Sequence, residues 1–396
     1  MKFQLSDRVN AIQPSPTLAV TQKAAELRSA GHDVIGLGVG EPDFDTPDFI
    51  KQAAIAAINA GKTKYTAVDG ISELKQAVCD KLKRDNGLTY QADQVLVSAG
   101  GKHSIFNLLS AWLNPGDEVV IPAPYWVSYP DMVKLVGAEP VIVSGGIEQR
   151  YKITAEQLRE TLTANTRLLF LNSPSNPSGT AYTKAELAAL AEVLRDYPDV
   201  LIATDDMYEH ILWSTEPFAN IMMAAPDLQE RTIILSGVSK AYAMTGWRIG
   251  YAAGPKALIA AMKKIQSQST SNPASISQYA ALAALEGDQS CITTMVSAFK
   301  QRHDYLVAAL NDIDGIHCIA GDGTFYTFAN IEGLMATVGI NDDVDFCEKL
   351  LNEAKVALVP GSAFGAPGHC RLSFATDLAT LESAVERIAT FAKQYR

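Results

Sequence analysis

Apolar residues along this chain fall into short runs, each followed by a longer stretch in which they recur every three or four positions. The runs at 34–37, 95–98, 118–121, 140–143, 168–171, 200–204 and 232–235 read as buried strands. Helix signals stand between most of them. Ser15-Pro16 opens a helix that Gly31 closes, and Thr46-Pro47 opens another that Gly61 closes. Alternation of this kind predicts an α/β fold with a mostly parallel sheet, helices covering both faces. After about Gly287 the rhythm changes. A long helix over 289–311 leads to strands near 324–329, 356–359 and 370–374 and a last helix from Leu378. That pattern predicts a smaller α+β domain, which the N-terminal segment joins. The expected division is an N-terminal segment (1–45), a large domain (46–287) and a small domain (288–396). No internal repeat or low-complexity linker interrupts it.

Composition narrows the function. The 396 residues are 47% apolar and 19% charged, as expected for a soluble globular enzyme with one large core and a smaller one. A formal net charge of −11 argues against a nucleic-acid partner, which needs a basic face. The stretch 265–285 is uncharged but too rich in Ser and Gln to span a membrane. The first residues lack the apolar run of a signal peptide, and Asp7 interrupts them early. Five cysteines are scattered without metal-ligand spacing, so no metal is expected and the thiols read as reduced, in a cytoplasmic protein.

The polar residues acquire meaning once placed on this frame. Gly100-Gly101-Lys102, Asn172 with Asn176, Asp205, and Lys240 each follow a predicted strand. All four groups therefore lie beyond carboxyl ends of strands, where open α/β sheets bind ligands, and together they imply one cleft built from several loops.

The segment Ser236-Gly-Val-Ser-Lys-Ala-Tyr-Ala-Met-Thr-Gly-Trp-Arg-Ile-Gly250 sets Lys240 in a turn of small residues, with Arg248 eight positions on. A lysine amine forms an imine with an aldehyde, and a guanidinium clamps a phosphate through parallel hydrogen bonds. Pyridoxal phosphate presents both groups on one molecule. Asp205, at a strand end, could hold a pyridinium proton, whereas alternation turns its neighbour Asp206 the other way. Tyr208 and Asn176 could share the cofactor's phenolic oxygen. Glycine amides opening the helix after Gly101, with Ser239 and Arg248, would make a phosphate cradle. A nucleotide-binding P-loop is a poor match there, because His103 follows Lys102 where Ser or Thr is required. Trp126 has the flat face needed to stack on a pyridine ring.

The chain resembles the fold-type I, class I aminotransferases that use pyridoxal phosphate, in particular the bacterial class Ib aspartate aminotransferases. The resemblance runs from Val9 to the C-terminus through Gly40-Glu-Pro-Asp-Phe-Asp-Thr-Pro47, Lys64-Tyr-Thr66, the Trp126 segment, the Asn176 loop, Asp205 and Tyr208, the Lys240 signature and Arg371-Leu-Ser-Phe-Ala-Thr376. It implies a large domain with a seven-stranded sheet and a homodimer in which Tyr65 reaches the neighbouring subunit's phosphate. It further implies that Arg371 binds the substrate α-carboxylate, helped by Asn176, Trp126 and the Gly40 backbone, and that the two domains close on substrate. Family members often carry Ser three residues before the lysine. Gly237 stands there, so Ser239 is expected to take that role.

The activity so implied is a ping-pong exchange of an amino group between an L-amino acid and 2-oxoglutarate through a Lys240 Schiff base. Lys102 is the candidate for reading a distal carboxylate, which favours aspartate as donor. Relatives that transaminate prephenate often carry a basic residue where this chain has Gln13, and aromatic donors are not excluded by any residue noted above. A β-lyase on the same fold is the chief rival. An aminotransferase-like ligand sensor would carry an added basic DNA-binding domain before Val9.

Overall fold

Six of the seven apolar runs become strands of one sheet in the computed structural model, which describes residues 3–14 and 16–396. The sheet has seven strands in the order Val95–Ser98, Gly250–Ala253, Thr232–Gly237, Leu201–Asp205, Thr166–Asn172, Glu118–Ala123, Glu139–Ser144. Gly250–Ala253 is antiparallel to both of its neighbours, and all the other pairings are parallel. The central strands are buried on both faces, which is why their sequences are continuous apolar runs rather than alternating ones. One apolar cluster fills each face of the sheet.

The run at 34–37 lies outside this sheet. Its residues Ile35–Gly36 pair in parallel with Val356–Ala357. The seventh strand of the large sheet is Gly250–Ala253, whose glycine start and direct attachment to the lysine turn disguise it as a loop in sequence. The run at 356–359 also divides, because Val359–Pro360 pairs with Arg371 and Cys370 in a second, four-stranded antiparallel sheet. That sheet contains His317–Cys318, Tyr326–Asn330 and His369–Ser373 and rests on the third large apolar cluster.

Helices Pro16–Ser29 and Asp48–Asn59 follow the expected positions, while Ser15, read as the opening cap, lies outside the described residues. The uncharged stretch around 265–285 is occupied by parts of two helices, Lys256–Ser267 and Ser275–Glu286. Among the described residues no helix is long and apolar enough to cross a membrane, and no group of three or more His, Cys, Asp or Glu is placed to hold a metal.

Candidate active site

Strand direction explains how distant residues meet. Thr166–Asn172, Leu201–Asp205 and Thr232–Gly237 are parallel, so Asn172, Asp205 and the turn carrying Ser239 and Lys240 emerge at one edge, with Asn172 and Asp205 directly paired. Two successive antiparallel pairings return Val95–Ser98 to the same direction, and its carboxyl end delivers Gly100 to that edge. Gly250–Ala253 runs the other way, so its amino end, next to Arg248, lies there too. The edge borders a cavity of about 300 Å³.

Lys240 lines this cavity, and its Nζ donates a 2.5 Å hydrogen bond to the Gly40 carbonyl. Burial disfavours the ammonium, as do the nearby guanidinium groups of Arg371 and Arg248, and together they lower its pKa to about 8. An amine so placed is available as a base or nucleophile near neutral pH.

Asp205 also faces the cavity. Burial raises its carboxyl to about 6, while Tyr129 donates to Oδ2 at 2.6 Å and the Met207 amide donates to Oδ1 at 3.3 Å. Asp206 points away. It accepts from Thr204 Oγ1 at 2.5 Å and Asn220 Nδ2 at 2.8 Å, inside the core. Asn172 Nδ2 donates to the Asp205 carbonyl at 3.0 Å, and its Oδ1 accepts from the Asn176 amide at 2.9 Å, so the two asparagines lock the adjoining loop to the strand end. Tyr208 is buried, with its hydroxyl 3.0 Å from that of Tyr326.

One end of the cavity is suited to a phosphate-like anion. Helix Gly101–Trp112 starts there, and its N-terminus turns the backbone amides of its first turn toward the cavity end of the strand. Gly100 adopts φ 90°, and a Cβ on it would collide with the Arg248 guanidinium; a Cβ on Gly101 would stand 2.5 Å from Met207 Cε. Arg248 itself has φ 58°, and its Nη1 donates to the Thr245 carbonyl at 2.9 Å. Ser239 lines the same cavity. At Gly237 a Cβ would lie 3.0 Å from the Ile249 carbonyl oxygen, so the close pairing with the last strand disfavours a larger residue. Lys102 Nζ lies 4.9 Å from the Trp126 ring centroid, its pKa lowered by burial and by Arg248.

The opposite wall comes from the four-stranded sheet. Arg371 is only 2% exposed, and its Nη1 and Nη2 donate to Asn176 Oδ1 at 2.9 Å and to the Gly38 carbonyl at 2.7 Å. Its guanidinium packs on the Tyr326 and Phe364 rings at 4.3 and 5.0 Å, and its buried Nε has no hydrogen-bond partner among the described residues. A planar cation held by carbonyl oxygens and aromatic faces, without a carboxylate, is arranged to receive one.

Of the residues given a cofactor- or substrate-binding role from sequence, Tyr65 alone does not line this cavity. It is 90% exposed. Tyr129 and Tyr326 contact Asp205 and Tyr208 and are neighbours that sequence reasoning missed. Tyr129 stands three positions after Trp126, across the turn that leads into helix Ser128–Leu135, and its amide donates to the Trp126 carbonyl at 3.0 Å. Thr17 and Leu18, at the start of helix Pro16–Ser29, complete the rim.

Residues 32–388 match the family model described as aminotransferase class I and II. The chain is similar to an aspartate/prephenate aminotransferase of Nitrosomonas europaea, 57% identical across 98% of this chain and 99% of that protein. It is also similar to the crystal structure of the aspartate aminotransferase from Rhizobium meliloti (46% identity, TM-score 0.95, 99% of each chain). The aspartate aminotransferase of Thermus thermophilus with maleate is a further structural relative (42% identity, TM-score 0.92, 98% of this chain and 100% of that one).

Proposed function

Because the chain belongs to the aminotransferase class I and II family, we propose that it moves the amino group of L-aspartate to 2-oxoglutarate with pyridoxal 5'-phosphate as cofactor. The observation carrying this reading is one cavity in which the Lys240 amine, its pKa lowered to about 8, lies with a buried carboxylate, Asp205, and two guanidinium groups from separate elements, Arg248 and Arg371. The names of the Nitrosomonas, Rhizobium and Thermus relatives, and the dicarboxylate maleate bound by the last, support aspartate.

The residues present fit the cofactor. The missing side chains at Gly100 and Gly101 make room for the Arg248 guanidinium and for Met207 where the helix amides begin, so that Gly101, Ser239 and Arg248 would hold the phosphate. Asp205 would take the ring nitrogen, Tyr208 and Asn176 the phenolic oxygen, and Trp126 one ring face. When bound, pyridoxal phosphate supplies a cationic ring that delocalises the negative charge developed at the substrate α-carbon.

The chain's own groups do the rest. Arg371 grips the α-carboxylate and so determines which α-bond can face Lys240. Lys240 Nζ, when neutral, would take the α-proton and, as the ammonium, would give it up again within the same half-reaction, to the carbon through which the cofactor receives the amino group. Asp205, titrating near 6, is mostly ionised at neutral pH and can balance a cation in the buried floor. Lys102, beside Trp126, would attract the distal carboxylate of a dicarboxylic substrate.

Tyr65, exposed on this subunit, fits a homodimer in which it reaches the partner's site. Movement of residues 288–396 relative to 46–287 would bring Arg371 onto substrate. Five free cysteines suit a reducing, cytoplasmic compartment. A second reading, prephenate as amino acceptor, is favoured by the name of the Nitrosomonas relative. Oxaloacetate formation from aspartate and 2-oxoglutarate tests the proposal. Turnover confined to aromatic donors would replace aspartate, and no turnover with any donor would remove the transaminase reading.

A further inference from the structure

Tyr326 stands where the pieces of the site meet. It lies on strand Tyr326–Asn330, which pairs with the strand bearing Arg371, and is only 1% exposed. Its hydroxyl is 3.0 Å from that of Tyr208. Its ring carries the Arg371 guanidinium at 4.3 Å. The same hydroxyl fills the space beside Gly40, where a Cβ would approach it to 2.7 Å, and the Gly40 carbonyl is the acceptor for Lys240. One side chain thus touches the proposed phenolic-oxygen donor, the proposed carboxylate clamp and the loop that holds the lysine.

We propose that Tyr326 is a positioning residue that donates its hydroxyl proton to Tyr208, freeing the Tyr208 proton for the cofactor's phenolic oxygen. The inference rests on the cofactor reading above. A hydroxyl has one proton, so Tyr208 can donate into the cavity only by accepting from Tyr326. Accepting a bond strengthens the bond it gives. The charged groups around the pair are Arg371 against the Tyr326 ring, Asp205 at the end of the strand preceding Tyr208, and Lys240 across the cavity. None of them supplies a hydrogen bond to Tyr208, so Tyr326 is its sole protein partner among the described residues.

The test is a pH titration of the visible band of the loaded protein in wild type, Tyr326→Phe, Tyr208→Phe and the double variant. Phenylalanine keeps the ring on which Arg371 packs and removes only the hydroxyl. A donor to the phenolic oxygen stabilises its anion, so weakening that donor raises the midpoint. Tyr208→Phe is expected to raise it most, and Tyr326→Phe by about 0.2–1 unit. In the Tyr208→Phe background Tyr326→Phe is expected to add nothing, which a merely structural role would not produce. A shift in Tyr208→Phe with none in Tyr326→Phe, or additive shifts in the double variant, overturns the role of Tyr326 alone. No shift in either single variant removes Tyr208 from the phenolic oxygen and the proposal with it. Protein that takes up no cofactor overturns the underlying reading.

Discussion

Tyr129 and Asp205 meet in the floor of the cavity, where the tyrosine hydroxyl donates a 2.6 Å hydrogen bond to Asp205 Oδ2 and both side chains are buried. Burial pushes the carboxyl up to about 6, and the bond from Tyr129 opposes that rise. The phenol is held by ring stacking on Phe170, with centroids 4.4 Å apart. Ionisation of this buried carboxylate therefore depends on a residue outside the lysine signature.

Tyr129→Phe removes that donor and moves the Asp205 pKa further up. A hydrogen bond to a charged group implies a loss of kcat/KM of about tenfold near pH 6, shrinking toward about pH 8 as the carboxyl ionises again. Comparing pH profiles of the two proteins checks this. An equal loss at every pH would assign Tyr129 to packing.

Lys240 gives the opposite limb. Burial and the guanidinium groups favour its neutral form, so the proton leaves as pH rises through about 8 rather than near the ordinary lysine value. The rate of the first half-reaction at saturating aspartate should rise with pH through that value and level off, as stopped-flow measurement would show. In the cofactor-free protein the native state binds fewer protons than the unfolded chain between the lowered and ordinary pKa, so this group adds stability as pH rises across that window. A rate that falls through the same range would contradict lysine as the base.

Arg371→Lys keeps the charge and loses the planar fork that reaches Asn176 Oδ1 and the Gly38 carbonyl together. We expect kcat/KM to fall by about 100-fold, chiefly through KM, because two parallel bonds to a carboxylate cannot be made by a single ammonium. Steady-state kinetics with aspartate decides. An unchanged KM would place the α-carboxylate elsewhere.

Lys102→Ala should separate substrates. Losing the cation beside Trp126 is expected to lower kcat/KM for aspartate by about tenfold, while that for phenylalanine stays within about twofold. Equal losses for both would tie Lys102 to the anion-binding helix start instead.

Much of this site was legible because chemistry and strand ends coincide in sequence. Lys240 and Arg248 share a turn between two paired strands, so eight residues of separation become one cavity wall. Asp205 was told from Asp206 by alternation alone, and the structure turns Asp206 to Thr204 and Asn220. The misses have a common cause. Tyr129 and Tyr326 are buried aromatics, and a core tyrosine and a site tyrosine look alike until their hydroxyl partners are known. Strand Gly250–Ala253 is too short and glycine-led to stand out, and 34–37 fits the strand rhythm although its partner, Val356–Ala357, lies more than three hundred residues away. Local pattern carries no information about such pairings. Tyr65 is the converse case, a surface tyrosine whose proposed role needs a second subunit.

The most direct test of the central claim is the visible spectrum of the protein supplied with pyridoxal phosphate, followed as aspartate and then 2-oxoglutarate are added. A band from cofactor joined to Lys240 should give way to the amine form with aspartate and return with 2-oxoglutarate, and Lys240→Ala should lose the cycle. A band that aspartate leaves untouched would refute aspartate as donor, and full cycling in Lys240→Ala would refute the mechanism.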